Sequence, residues 1–177
     1  FNENKDSLSK VEIASYFIYF NKTCFNGIYR VNPSGEFNVP MGDASDFTID
    51  ENRLRNASKL LNKNVEISVG DYKDIENKVQ KGDFVYFDPP YYPLSETAKF
   101  TSYTKNNFLE KEQEELSNFF RKLDKKKGCL VMLSNSDTNL IHNLYKDYHL
   151  KFVNARRAIN CVGEKRGVIN EVVVMNY

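Results

Sequence analysis

The sequence predicts an α/β fold, an open and mostly parallel sheet covered by helices, and two observations carry that prediction. From residue 65 onward, short apolar runs of β type alternate with stretches of helical periodicity. Two of those runs, Phe84-Val85-Tyr86-Phe87 and Leu130-Val131-Met132-Leu133, are apolar on both faces, as strands in the middle of a helix-covered sheet are. Regular β–α alternation of this kind belongs to parallel sheets with helical crossovers. At 177 residues the chain is about one domain long, enough to bury a substantial core.

The elements follow in order. Leu8, Val11, Ala14, Phe17 and Ile18 recur at helical spacing, which predicts a core-packed helix over residues 6–20. Pro33-Ser34-Gly35 lies between Tyr29-Arg30-Val31 and Glu36-Phe37-Asn38-Val39, a hairpin signal. Residues 43–50 are polar and read as a loop. A second helix is expected over 51–61, with Leu54, Ala57, Leu60 and Leu61 on one side. Residues 65–69 then read as a short strand, 72–80 as a short helix and 83–87 as a dense apolar strand. After a polar stretch over 93–108, residues 110–123 read as a helix with Gln113, Leu116, Phe119, Phe120 and Leu123 inward. A strand over 128–133 follows, and a helix over 137–148 with Leu140, Ile141, Leu144 and Tyr145 on one face. Two β segments, near 150–153 and 171–176, close the chain. The Lys125-Lys126-Lys127 run reads as a solvated turn, as does the basic segment holding Arg156, Arg157, Lys165 and Arg166.

Composition excludes several classes of function. Hydrophobic residues at 41% and charged residues at 28% are too apolar a mixture for a disordered chain. A formal net charge of +1 gives no global basic field, so a nucleic-acid partner must be held by a local patch. Cys24, Cys129 and Cys161 are widely spaced and odd in number, which favours reduced buried thiols in a cytoplasmic protein. His142 and His149 are the only histidines, so a metal site or a histidine-based triad is poorly supplied and no metal is expected. No stretch is long and apolar enough to cross a membrane. Eleven Tyr and thirteen Phe are compatible with base stacking but equally with an aromatic core.

The chemistry gathers at Asp88-Pro89-Pro90-Tyr91. In open α/β sheets reactive groups lie beyond the carboxyl ends of strands, where Asp88 stands. Two consecutive prolines stiffen the turn and restrict the residue before them. A carboxylate, the Pro89 carbonyl and an aromatic face are thereby held in fixed relation. An exocyclic amine has two hydrogens and a lone pair delocalised into its ring. If Asp88 and the Pro89 carbonyl accept those hydrogens, the nitrogen turns tetrahedral and exposes its lone pair to a methyl donor, while Tyr91 holds the ring by stacking. Positioning and preorganised acceptors suffice for such a step. A base inside a duplex is out of reach, so it must first be flipped out.

Gly82-Asp83-Phe84-Val85-Tyr86-Phe87-Asp88-Pro89-Pro90-Tyr91 resembles the Dam-like, DpnII-type family of adenine-N6 DNA methyltransferases, and the likeness extends over most of the chain. Residues 21–30 and 35–40 are similar to that family's DNA-recognition hairpin. Leu94-Ser95-Glu96-Thr97 and Phe100-Thr101-Ser102-Tyr103-Thr104 are similar to its loop beside the target base. The stretch over 93–108 reads either as a flexible surface loop or as a lid ordered by DNA, and its departure directly from the catalytic turn favours the lid. Ser134-Asn135-Ser136 and residues 171–177 complete the match. The resemblance implies a Rossmann-like methyltransferase core with an inserted recognition hairpin, and S-adenosylmethionine as methyl donor. It implies that Asp88 lies near the donor as well as the adenine, that Asp71 accepts from the donor's adenine amine and that Tyr72 stacks on it. Asp71 is also placed to cap a helix after a strand, and both roles can hold together. Phe25, Asn26, Ile28, Arg30 and Pro40 fall on the recognition hairpin, with Arg30 suited to reading a guanine edge. Lys22, Arg30, Lys99 and Lys105 are candidates for phosphate contacts, although for any one of them a plain surface position is the favoured reading.

Two departures qualify the resemblance. The family's Phe-x-Gly-x-Gly cofactor loop is absent, and the order of motifs, that of the α group, would place it before Phe1. Where GATC-specific members read Arg-Tyr-Lys after Gly42, this chain reads Asp43-Ala44-Ser45. The expected organisation is a helix over 1–20, a target-recognition segment over 21–62 and the C-terminal part of the catalytic domain over 63–177. The expected reaction is methyl transfer to adenine N6 in duplex DNA, in a restriction-modification system with a cognate endonuclease or in a solitary bacterial or phage methylase. A cytosine-N4 methyltransferase and a non-catalytic DNA-binding remnant are the alternatives.

Overall fold

The computed structural model describes residues 1–43, 47–94, 108–156 and 168–177. The chain divides into two compact units, Phe1–Val69 and Gly70–Tyr177.

In the first unit a 3-10 segment, Asn2–Ser7, precedes helix α1, Lys10–Thr23. The helix starts at Lys10, later than its periodicity suggested, because Ser9 closes a capping box there. The Ser9 side chain accepts from the Glu12 amide and the Glu12 carboxylate accepts from the Ser9 amide. The predicted inward stripe is not the buried one: Val11 and Phe17 are exposed, and Phe20 and Thr23 are buried instead. The cause is aromatic packing at the helix's C-terminal end, where Phe20 stacks on Phe37 with ring centroids 4.1 Å apart and Phe1 packs edge-on. The hairpin signal forms around one bridge, Val31 opposite Phe37, turned by Gly35 at φ +82°. Helix α2, Glu51–Leu61, forms as predicted, with Asp50 accepting from the Arg53 amide at its start, but Leu54, Leu60 and Leu61 remain exposed.

The predicted strand over 65–69 is not a strand. Val65, Ile67 and Val69 are exposed coil, since apolar alternation makes a strand only where a ladder partner exists and none pairs with it among the described residues. In the second unit a 3-10 segment, Tyr72–Asn77, leads to β1, Phe84–Phe87. Helix α3, Glu110–Lys122, runs into a π-helical turn, Leu123–Lys127, that holds the lysine run and is closed by Gly128 at φ +67°. Strand β2, Leu130–Ser136, helix α4, Asn139–Leu144, and strands β3, His149–Arg156, and β4, Val168–Met175, follow. The sheet order is β1-β2-β4-β3. Only β1 and β2 are parallel; β4 runs antiparallel to both β2 and β3. The described sheet is therefore mixed, against the mostly parallel expectation.

The α3 stripe read from sequence is buried throughout: Gln113, Leu116, Phe119, Phe120 and Leu123. It packs with Ile141 and Tyr145 onto Val85, Phe87, Val131, Leu133, Val172 and Val174, one face of the sheet. Burying a side chain such as Phe120 contributes about 1.5–3 kcal/mol. Among the described residues β1 is an edge strand of this sheet, and on its other face Phe84 and Tyr86 are 56% and 50% exposed. That differs from the central, doubly covered position its composition suggests.

Candidate active site

The parallel register places Phe87 opposite Leu133, so the chain leaves β1 beside the last three residues of β2. Each of those three holds a different part of the turn. Ser134, buried, donates its hydroxyl proton to Asp88 Oδ1 at 2.9 Å. The Tyr86 hydroxyl lies 2.8 Å from the same Oγ, and since Ser134 has one proton to give, Tyr86 is the donor there. Asp88 itself is exposed, which leaves its carboxylate open to a ligand with one oxygen already fixed.

Asn135, fully buried, faces the other way. Its Oδ1 accepts from the Tyr92 amide at 3.0 Å and from the Ser136 amide at 2.8 Å. Its Nδ2 donates to Gln113 Oε1 at 3.0 Å, and Gln113 Nε2 donates to the Pro90 carbonyl at 2.9 Å. Ser136 Oγ donates to the Tyr92 carbonyl at 2.6 Å. Tyr91 is half-buried and its hydroxyl donates to Glu171 Oε2 on β4 at 3.3 Å. Burial pushes the Tyr91 phenol up to about 12, and the charges of Glu171 and Asp88 add to it. Tyr91 is thus a neutral, tethered ring at neutral pH.

Asp71 and Tyr72 belong to the same unit. Asp71 Oδ1 accepts from the Lys73 amide at 2.9 Å, and Asp74 accepts from the Asp71 amide, so the N-cap reading holds. Asp71 is exposed, and the cap uses only one of its oxygens. Tyr72 packs edge-on against Phe119 and Phe87, the latter adjoining Asp88, and the Lys73 ammonium lies 5.4 Å from its ring centroid. Tyr72 is therefore a core contact of the strand that carries Asp88.

The hairpin residues gather in the first unit. Phe25 and Asn26 are exposed on a 3-10 turn, Phe25–Gly27, with Asn26 at φ +54°. Gly27 is required there: at φ +63° an added Cβ would lie 2.6 Å from the Asn21 carbonyl oxygen. The Pro40 carbonyl accepts from the Phe25 amide at 3.0 Å, and the Ile28 amide donates to the Phe25 carbonyl. Arg30 is exposed and tied across the hairpin, Nε to Asn38 Oδ1 at 3.0 Å and Nη2 to the Asn38 carbonyl at 3.2 Å. Ala44 and Ser45, the lid stretch from Ser95 through Lys105, and Arg157, Cys161, Lys165 and Arg166 lie outside the described residues.

Comparison with known proteins decides what this arrangement belongs to. A model of the D12 class of N6 adenine-specific DNA methyltransferases matches residues 1–159. The chain belongs to that family. It is 49% identical over 180 residues to the Type II methyltransferase M.MjaIII of Methanocaldococcus jannaschii, covering 100% of this chain and 62% of that protein. It is 44% identical to the Type II methyltransferase M1.LlaDCHI of Lactococcus lactis subsp. cremoris, covering 97% and 61%. To the DNA adenine methylase of Escherichia coli K12 it is 33% identical, covering 99% and 61%. The chain thus spans about three fifths of the length of these relatives.

Within this D12-class chain, sequence reading found Asp88 and its turn but assigned no task to Tyr86, Gln113, Ser134, Asn135 or Glu171. One signal was present: a glutamine in the buried stripe of an amphipathic helix requires a polar partner inside the core.

Proposed function

We propose that this chain carries the base-binding and catalytic residues of an enzyme that methylates adenine N6 in duplex DNA, with S-adenosylmethionine as donor. The observation that carries the reading is the Asp88 carboxylate, exposed at the end of β1 with Oδ1 held by buried Ser134 and the tethered Tyr91 ring three residues on. The flipped adenine would stack on Tyr91. Its amine would donate one hydrogen to Asp88 and one to the Pro89 carbonyl, which makes the nitrogen lone pair available. Asp88 would also receive the proton the amine sheds once methylated. Because Ser134 and the two prolines hold these acceptors before the base arrives, little reorganisation accompanies the step.

The donor, when bound, supplies an electrophilic methyl group. The residues present fit it in part: the exposed Asp71 carboxylate has an oxygen beyond its capping bond for an adenine amine, and the exposed Asp88 carboxylate would face the donor as well as the base, while Tyr72 contributes mainly by packing behind β1. We read the sheet as part of a Rossmann-like core formed by residues 63–177, preceded by a helical segment over 1–20 and a recognition segment over 21–62. DNA would meet the exposed hairpin of Phe25, Asn26, Ile28, Arg30 and Pro40, with the remaining donors of Arg30 free to address a guanine edge. The Type II relatives support a restriction-modification setting with a cognate endonuclease. No helix among the described residues is long and apolar enough to cross a membrane, and the proposed site of action is the cytoplasm.

The test is methyl transfer from tritiated S-adenosylmethionine to unmethylated duplex DNA by the full-length protein, followed by nucleoside analysis. Label in N6-methyladenine supports the reading. Label in N4-methylcytosine overturns the choice of base, and DNA binding without label overturns the enzymatic assignment.

A further inference from the structure

Tyr91 is bracketed by two backbone groups that the structure fixes from within the core. The carbonyl of Pro90, just before it, accepts from Gln113 Nε2 at 2.9 Å. The amide of Tyr92, just after it, donates to Asn135 Oδ1 at 3.0 Å. The two amide side chains are joined at 3.0 Å, and both are fully buried. They form a continuous bridge from one flanking peptide group, through α3 and the end of β2, to the other. A buried carboxamide on a helix face is costly unless satisfied, and among the described residues every side-chain bond the pair makes beyond itself goes to the site turn or to the adjoining Ser136.

We infer that Gln113, acting through Asn135 and the Pro90 carbonyl, is a positioning residue that sets where the Tyr91 ring stands to receive the base. Two fixed peptide planes leave the Tyr91 backbone little freedom, so its ring is placed by the core of the protein rather than by the DNA. The alternative is that the pair only stabilises the interior, in which case any folded variant would turn over normally.

The inference rests on the proposed methylation of a flipped adenine, and its test separates the two. Gln113→Met, which keeps the side chain's length and removes its hydrogen bonds, is assayed in the full-length protein well below the variant's melting temperature. The expected result is a kcat lowered by roughly 10- to 100-fold, as misplacement by about an ångström produces, with KM for DNA and donor changed less than about threefold. In a Tyr91→Ala background, Gln113→Met should lower kcat no further. Independently of turnover, exchange of the Tyr92 amide hydrogen should accelerate in Gln113→Met. A normal kcat, effects of the two substitutions that simply multiply, or unchanged Tyr92 exchange would each overturn the positioning role. Wild-type turnover by Asp88→Ala would instead overturn the proposed mechanism, because the Gln113 bridge does not touch that carboxylate.

Discussion

Replacing Asn135 with leucine removes a side chain of similar size but leaves a defined set of groups without partners. Gln113 Oε1 loses its only donor among the described residues, and the Tyr92 and Ser136 amides lose their shared acceptor. Each buried orphan costs about 1–3 kcal/mol, and the Tyr92 end lies nearer solvent, so the whole should come to roughly 3–5 kcal/mol. Gln113→Leu orphans Asn135 Nδ2 and the part-buried Pro90 carbonyl, which is partly rehydrated, and should cost about 2–3 kcal/mol. The double replacement eliminates the orphans that each single variant creates in the other side chain. It should therefore cost less than the sum of the two by about 1–3 kcal/mol. Urea unfolding followed by far-UV circular dichroism reads this directly: with a slope of about 1–3 kcal/mol per molar, Asn135→Leu should lower the midpoint by on the order of 2 M. Single variants within about 0.5 kcal/mol of wild type, or strictly additive costs, would refute the claim that the two amides satisfy one another.

Other expectations follow from the same groups. The Tyr145 hydroxyl is buried with no hydrogen-bond partner among the described residues, so Tyr145→Phe should leave stability unchanged or raise it by about 1 kcal/mol in the same unfolding assay; a loss beyond 1 kcal/mol would reveal a hidden partner. Burial raises the phenols of Tyr91 and Tyr148 to about 12 and that of Tyr145 further. Their contribution to stability is complete below about pH 10 and is lost as pH climbs through about 12, because the unfolded chain ionises first. Tyr145→Phe should make that alkaline decline shallower, and an identical slope would count against the assignment. Arg30→Ala should weaken binding to the cognate duplex by about 1–3 kcal/mol if the guanidinium reads a base edge, with little change on unrelated DNA. An equal loss on both duplexes would reduce Arg30 to a phosphate contact.

The local chemistry of the site was legible in the sequence, and its support was not. Asp88 announced itself through an apolar strand followed by two prolines, a pattern complete within a few residues. The inward face of α3 was equally legible, since Leu116, Phe119, Phe120 and Leu123 repeat at the helical period. The partners of that turn come from residues 23 to 80 positions away, and no local pattern encodes which strand end will lie beside Asp88. The segment over 65–69 failed for the converse reason, because alternation records a preference for a ladder without supplying one. On α1 the stripe misled, because a stacking contact between Phe20 and Phe37 outweighs an apolar periodicity ending at Ile18. The sheet's mixed direction was hidden as well: β4 pairs antiparallel with β3, its neighbour in the chain, in an eight-residue register that composition alone does not set.

The proposed mechanism depends on Asp88 receiving the amine. Single-turnover methylation of a duplex known to be a substrate, by the full-length wild type and by Asp88→Ala, tests it most directly, with circular dichroism and DNA affinity measured on both. The predicted result is a rate reduced by at least about 10²- to 10³-fold with folding and DNA affinity retained, since a preorganised acceptor at the reacting centre is lost. A variant that methylates at the wild-type rate would contradict it.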